Sequence, residues 1–310
     1  MSEGTQEALT ELLRGLDQAG YRFTTTSPAT HERYLAKRKG DEARDLRDIF
    51  GWSLPFSSEL LPSELVKALE AAGALETAHG RFKSKVRVST IGTALFVHSA
   101  FPTGGKNDVF FGPDTYRFIR FIQANVTPSE DSLRIVEIGA GTGAGALAAA
   151  ALLPNARVTL SDINPAALRH AAANAAHARV EVELVEGSGL DAVDGGMDLV
   201  LANPPYVMDE EDRAYRDGGG MLGAQLSLDW TLSAARRLSP GGRMLLYTGV
   251  AIEAGADHLR EALEEQLPPL GCTLAYEELD PDVFGEELEK PPYREVERIA
   301  VIGATITRAS

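Results

Sequence analysis

The tetrapeptide Asn203-Pro204-Pro205-Tyr206 follows a short apolar run, Met197 to Ala202, and combines an amide, two rigid imides and an aromatic ring. Consecutive prolines fix φ and remove backbone donors, which leaves their carbonyl oxygens as acceptors. The Asn203 side-chain oxygen and the Pro204 carbonyl can accept both N–H groups of an amide or aromatic amine, and Tyr206 can stack on its flat face. Such a nitrogen is a poor nucleophile because its lone pair is delocalised. Holding it in line with an electrophilic carbon supplies proximity and orientation. Two acceptors also stabilise the positive charge that develops on it during attack. A rigid turn after a strand would account for Asn-Pro-Pro alone, but not for what lies upstream.

Upstream, Arg134 to Ile138 runs into Glu137-Ile138-Gly139-Ala140-Gly141-Thr142-Gly143-Ala144-Gly145. Glycines there let the backbone turn tightly and approach a ligand, and they open a helix whose N-terminus favours acceptor atoms. Gly139, Gly141 and Ala144 also satisfy the dinucleotide fingerprint, so the loop by itself leaves the ligand open. Asp162, about 20 residues further on, ends the next strand, where a carboxylate accepts hydrogen bonds from ribose hydroxyls. A nicotinamide dinucleotide and S-adenosylmethionine both carry that ribose. The nicotinamide oxidoreductase reading explains the glycine loop and Asp162 but leaves the Asn203 loop idle. A binding module that kept the fold without catalysis also leaves it idle.

These residues need a scaffold that brings distant strand ends together. Arg134 to Ile138, Arg157 to Ser161, Val180 to Val185, Met197 to Ala202 and Gly242 to Tyr247 are short runs rich in Val, Ile and Leu. They alternate with helical segments at 144–153, 165–176, 224–238 and 254–267, and a helix over Tyr116 to Ala124 precedes them. That alternation predicts a doubly wound α/β domain with a mostly parallel, Rossmann-like sheet. Thr273 to Glu278 and Val296 to Thr307 would add an antiparallel edge. Ligands in such sheets sit beyond the carboxyl ends of the strands, which sets the tetrapeptide beside the glycine loop.

Residues 1–108 read as a smaller, mostly helical domain for substrate recognition, and 109–310 as the catalytic domain. Helices are expected over Glu7 to Ala19, His31 to Gly40, Glu42 to Phe50 and Ser63 to Ala72. Arg81 to Val88 and Thr93 to Ser99 alternate like a strand pair, which makes a winged-helix-like module. The basic stretch Arg33, Lys37, Arg38, Lys39, Arg44 and Arg47 is interrupted by Glu32, Asp41, Glu42 and Asp45, and reads as a solvated face. With a formal net charge of -15 over 310 residues, the chain lacks the basic balance of a phosphate-binding protein, which argues against RNA or DNA without excluding it. No run is long and apolar enough for a bilayer, and the N-terminus lacks a secretion signal. One cysteine, Cys272, permits neither an internal disulfide nor a thiolate metal cluster, so a cytoplasmic setting is expected. His170, His177 and His258 lack metal-ligand spacing, and no metal is expected. The acidic run Asp209, Glu210, Glu211 and Asp212 past the tetrapeptide reads as a solvated lid. Oligomeric state is not legible.

Taken together, the motifs resemble the class I S-adenosylmethionine-dependent methyltransferases, and most of all the HemK-type protein-glutamine N5-methyltransferases that act on release factors. Phe111-Gly112-Pro113-Asp114-Thr115 resembles the family's Pro-Asp-Thr segment. Asp162-Ile163-Asn164-Pro165 resembles its acidic strand end, and Asp217-Gly218-Gly219-Gly220 its later glycine stretch. The resemblance covers about residues 109 to 250. It implies S-adenosylmethionine held by Thr115, Glu137, Gly139, Ala140, Gly141, Gly143, Asp162, Ile163, Ser188 and Asn203. It also implies catalysis by Asn203, Pro204, Pro205 and Tyr206 on a protein glutamine, with an exocyclic base amine of RNA or DNA as the alternative. Two positions depart from the family. Ser188 stands where an acidic residue faces the adenine, and Gly112 replaces a basic residue before Pro-Asp-Thr.

Overall fold

The computed structural model describes residues 3–78, 80–208 and 218–310. Its elements in chain order are α1 (Glu3–Gln18), α2 (Pro28–Lys37), α3 (Leu46–Phe50), α4 (Ser63–Ala71), β1 (Leu75–Ala78), β2 (Arg81–Ser84), β3 (Val86–Ile91), β4 (Ala94–Ser99) and α5 (Pro113–Asn125). There follow β5 (Arg134–Ile138), α6 (Ala144–Ala150), β6 (Arg157–Asp162), α7 (Pro165–Ala178), β7 (Val182–Glu186), β8 (Met197–Ala202) and α8 (Gln225–Arg237). The chain ends with β9 (Leu238–Glu253), β10 (Ala256–Asp257), α9 (His258–Gln266), β11 (Cys272–Asp280) and β12 (Arg298–Arg308). Packing divides them into two compact units. One comprises Met1–Arg117, Gly141–Leu147 and Asn164–Val182; the other comprises Phe118–Ala140, Ala148–Ile163 and Glu183–Ser310. The acidic run Asp209 to Asp212, and Asp217, lie outside the described residues.

In the first unit, α1 buries Leu9, Leu12, Leu13 and Leu16, a helical i, i+3, i+4, i+7 stripe. The stripe joins Ile49, Phe50, Leu65 and Leu69 in one core that also takes in Ala173 of α7. Helix starts follow local chemistry: Ser27 caps α2 by accepting from the Thr30 N–H, with Pro28 in the first turn. Asp45 caps α3 by accepting from Asp48 N–H. Arg38 in turn pairs with Asp48 at 3.1 Å, so part of the basic stretch is spent on ion pairs inside this unit.

Arg81 to Val88 is not one strand. Its first half, β2, pairs antiparallel with β1, a strand the sequence pattern did not predict, and its second half, β3, pairs with β4. Ser84 makes the break: its hydroxyl donates to the Val86 carbonyl at 2.7 Å, folding the chain out of one ribbon into the next. Helix α4 therefore leads into a hairpin, and a second ribbon follows.

The second unit is built on a sheet of order β11-β12-β9-β8-β5-β6-β7. Strands β6, β5, β8 and β9 run parallel in successive pairs. Strand β12 is antiparallel to β9 and β11 antiparallel to β12, which gives the expected antiparallel edge. Val136, Ile138, Val200, Met244, Leu246 and Ile302 are at most 1% exposed and form its centre. Strand β9 continues well past Tyr247 to Glu253, and residues 254–257 are not helical. Ala254 and Gly255 both take positive φ (47° and 76°), a two-residue turn that folds β10 back on β9. Asp257 then caps α9 by accepting from Arg260 N–H. No described helix is long and apolar enough to cross a membrane.

Candidate active site

Register fixes which residues leave the sheet together. Ile138 of β5 is paired with Ser161 of β6 and with Ala202 of β8. The next residue on each strand is Gly139, Asp162 and Asn203. Three residues singled out for unrelated reasons thus emerge side by side from the carboxyl edge of adjacent parallel strands. The Gly187 N–H donates to the Asp162 carbonyl at 3.1 Å, which brings the β7 exit, with Ser188, to the same edge.

Around that edge the second unit supplies a shaped floor. Gly139 has φ +62°, and a Cβ there would meet the Trp230 ring at 2.7 Å. A Cβ on Gly189 would meet the same indole at 3.2 Å. The Ala140 N–H donates to the Ser161 carbonyl (3.0 Å), and the Ser161 hydroxyl to the Gly189 carbonyl (2.9 Å), so both turns are tied to β6. Asp162 is half-buried, whereas Ile163 is 53% exposed. Ser188 is exposed, and Glu137 is buried within β5.

The remaining glycine-loop candidates belong to the first unit. Gly141 and Gly143 have φ of 53° and 73°. The Thr142 carbonyl between them accepts from the Asn174 side chain of α7 at 2.9 Å. Thr115 lies in the first turn of α5, where its hydroxyl accepts from Gly112 N–H (3.3 Å).

The tetrapeptide is held from below and behind. Tyr206 is 9% exposed; its ring lies against the backbone at Gly249 of β9, where any side chain would overlap it. The ring of Phe284 meets Tyr206 edge-on, with centroids 5.7 Å apart. Gly218 N–H donates to the Val207 carbonyl (2.8 Å), and a Cβ on Gly218 would stand 2.7 Å from the Pro205 carbonyl. Tyr293, 1% exposed, accepts from Met208 N–H at 2.7 Å and donates to the Leu222 carbonyl at 3.5 Å. The sequence reading named none of Trp230, Gly249, Phe284 and Tyr293. Only Tyr293 left a trace, in a second Pro-Pro-Tyr run at Pro291-Pro292-Tyr293.

The chain is similar to known methyltransferases. The model of the methyltransferase small domain matches residues 119–265. The release factor glutamine methyltransferase of Deinococcus radiodurans is 38% identical over 124 residues, 36% of this chain and 44% of that one. That of Cereibacter sphaeroides is 30% identical over 229 residues, 68% of this chain and 80% of that one. The chain belongs to this methyltransferase family. It spans about half the length of the first curated relatives it matches, from 44% to 58%. The crystal structure of Trm5b from Pyrococcus abyssi superposes with a TM-score of 0.52 over 80% of this chain and 68% of that one; at 13% identity it shows the fold alone. Family membership sets aside the nicotinamide oxidoreductase reading.

Proposed function

We propose that this methyltransferase moves a methyl group from S-adenosylmethionine to a glutamine side-chain nitrogen of a peptide chain release factor, the substrate in the names of its relatives. The observation that carries the reading is the alignment of Gly139, Asp162 and Asn203 on one sheet edge. The residues present suit the cofactor. Positive φ at Gly139, Gly141 and Gly143 leaves backbone where side chains would stand. The exposed Ile163 offers an apolar face beside the Asp162 carboxylate, as an adenosine needs. When bound, the cofactor supplies an electrophilic methyl group.

The protein's own part is orientation and charge. Asn203 Oδ1 and the Pro204 carbonyl accept the two amide N–H groups and turn the nitrogen lone pair to the methyl donor. They stabilise the positive charge that grows on nitrogen, and the proton becomes acidic as the bond forms. Pro205 keeps the turn rigid. Tyr206, fixed by Gly249 and Phe284, is held for stacking and cannot swing away. Asp162 accepts from ribose hydroxyls, Ile163 covers the base, and Ser188 takes the edge where relatives carry an acid. Glu137, Ala140 and Thr115 complete the cofactor set. Residues 1–108 recognise the substrate.

One observation favours base methylation as the second reading: α4 leads into the β1–β2 hairpin, the helix-then-wing order of many nucleic-acid modules. Net charge weighs against it. The test is incubation with methyl-labelled cofactor and, separately, a release factor, tRNA, rRNA and duplex DNA, followed by peptide mapping. Label on one glutamine of the release factor supports the proposal. Label confined to nucleic acid replaces it with the second reading, and no label on any of them refutes it.

A further inference from the structure

Arg87 lies on β3 in the first unit and is 4% exposed. Its Nη2 donates to the Thr25 hydroxyl at 2.7 Å, and its Nε is buried without any partner. Among the described residues it forms no ion pair. A buried guanidinium left without an opposite charge is costly, and buried charges are ordinarily paired.

Its surroundings offer no hidden counter-charge. His98, directly across the ribbon from Arg87, is 1% exposed, and burial followed by the Arg87 charge pushes its pKa well below the usual range. Neutral His98 donates from Nδ1 to the Ser99 carbonyl (3.1 Å), so its Nε2 must accept from the Ser89 hydroxyl (2.7 Å). The Ser89 oxygen then accepts from the Thr25 hydroxyl, whose oxygen accepts from Arg87. His98, Ser89 and Thr25 therefore carry no negative charge to set against Arg87. Burial pushes the phenols of Tyr21 and Tyr116 up, so neither serves as a phenolate.

Two segments proposed to hold the cofactor adjoin this cluster within the same unit. Val97, next to His98, has its N–H and carbonyl gripped by Asn174 (2.8 and 3.2 Å), and Asn174 also donates to Thr142 in the glycine loop (2.9 Å). Tyr116, next to Thr115, accepts from the Thr25 N–H at 3.0 Å.

We infer that Arg87 is the receptor for a carboxylate bound in the first unit, supplied by the amino-acid end of the cofactor or by a free small carboxylate. The first source rests on the proposed cofactor; the second does not. A carboxylate matches the guanidinium in shape and charge, and Nε–H is the donor it would take.

The experiment compares the full chain and Arg87→Met by calorimetry with S-adenosylhomocysteine and with 5′-methylthioadenosine, which lacks the amino-acid end. Thermal melts in acetate against fluoride at matched ionic strength accompany it. Affinity for S-adenosylhomocysteine should fall roughly ten- to hundredfold in Arg87→Met, with 5′-methylthioadenosine changed by less than about twofold. Should both nucleosides bind the two proteins alike while acetate raises the melting temperature of the wild type only, the carboxylate is a free one. Equal loss for both nucleosides, or no loss together with no acetate effect, overturns the inference. If Arg87→Met fails to fold, Arg87→Lys keeps the charge but loses the planar fork, and the same selective loss is expected. A wild type that binds neither nucleoside refutes the cofactor proposal and leaves the acetate melts to decide Arg87.

Discussion

Asn203 and Asp162 occupy equivalent places, each one residue beyond a position paired with the β5 strand system, yet their side chains meet different demands. In the proposed reaction Asn203 faces a group whose charge changes, so its loss should fall on turnover. We expect Asn203→Ala to lower kcat on the order of a thousandfold while affinity for S-adenosylhomocysteine stays within about twofold. In the same proposal Asp162 holds a ribose that does not change, so Asp162→Ala should weaken that affinity roughly tenfold or more. Calorimetry and single-turnover rates on both variants separate the roles, and equal damage to both properties by both changes would contradict them. The place of Asn203 and Asp162 on one sheet edge was legible in the sequence because the strand pattern dictates it. Gly249, Phe284 and Trp230 were not legible. They act by shape on Tyr206 and Gly139, and nothing in their own neighbourhoods marks a contact across so much sequence.

At the level of elements, the connection 281–297 between β11 and β12 does more than link two edge strands. Its Tyr293 joins Met208 and Leu222, the two flanks of the stretch that follows the tetrapeptide. Tyr293→Phe removes one hydroxyl and leaves the buried ring. Loss of both of its hydrogen bonds should slow kcat about fivefold, with S-adenosylhomocysteine affinity unchanged. A fall in cofactor affinity alone would contradict a role in holding the substrate loop. Strands β5 and β8 were legible to the residue because both are bounded apolar runs, and β6 to within one. The split of Arg81 to Val88 was not, because alternation continues through Ser84, and the break is made by the Ser84 hydroxyl on Val86 and by backbone bonds of Lys85 to Ala74 and Ala100. Helix α2 and strand β4 carry a further consequence. Burial first, and then the Arg87 charge, lowers the His31 pKa to about 4 and pushes His98 well below its usual range. The unfolded chain therefore binds more protons than the folded one below pH 6.5. Stability from these groups is complete above about pH 6.5 and is lost as pH falls toward 4, by up to about 1.4 kcal/mol per histidine per pH unit. Urea midpoints should fall between pH 7 and pH 5, and His31→Gln should flatten the slope. Equal midpoints at both pH values would show these rings to be charged or exposed in the native state.

On the scale of the whole chain, sequence motifs draw a line at 108/109, whereas packing assigns α7 and the glycine-loop segment Gly141–Leu147 to the same unit as the N-terminal helices. The composition of α7 explains why this was not legible. Its buried positions are mostly alanines, Ala167, Ala171, Ala172, Ala173 and Ala175, and so small a side chain marks no preferred partner on either face. Ala173 lies in the core formed by Leu9, Leu12, Leu13 and Leu16. Asn174, 1% exposed, fills its hydrogen bonds with Val97 and Thr142. A chain starting at residue 109 would lose that core and leave the Asn174 amide short of two partners, so apolar surface and an unsatisfied polar group would be exposed or stranded together. We therefore expect the 109–310 fragment to bind a hydrophobic dye, to melt at least about 5 °C below the full chain or precipitate, and to bind S-adenosylhomocysteine more weakly. Residues 1–108 produced separately and added back should restore part of the affinity, because the lost contacts lie in one packed unit. A soluble fragment with the full chain's affinity and melting temperature would instead establish the 108/109 line as a true domain boundary, with the N-terminal region acting on substrate alone.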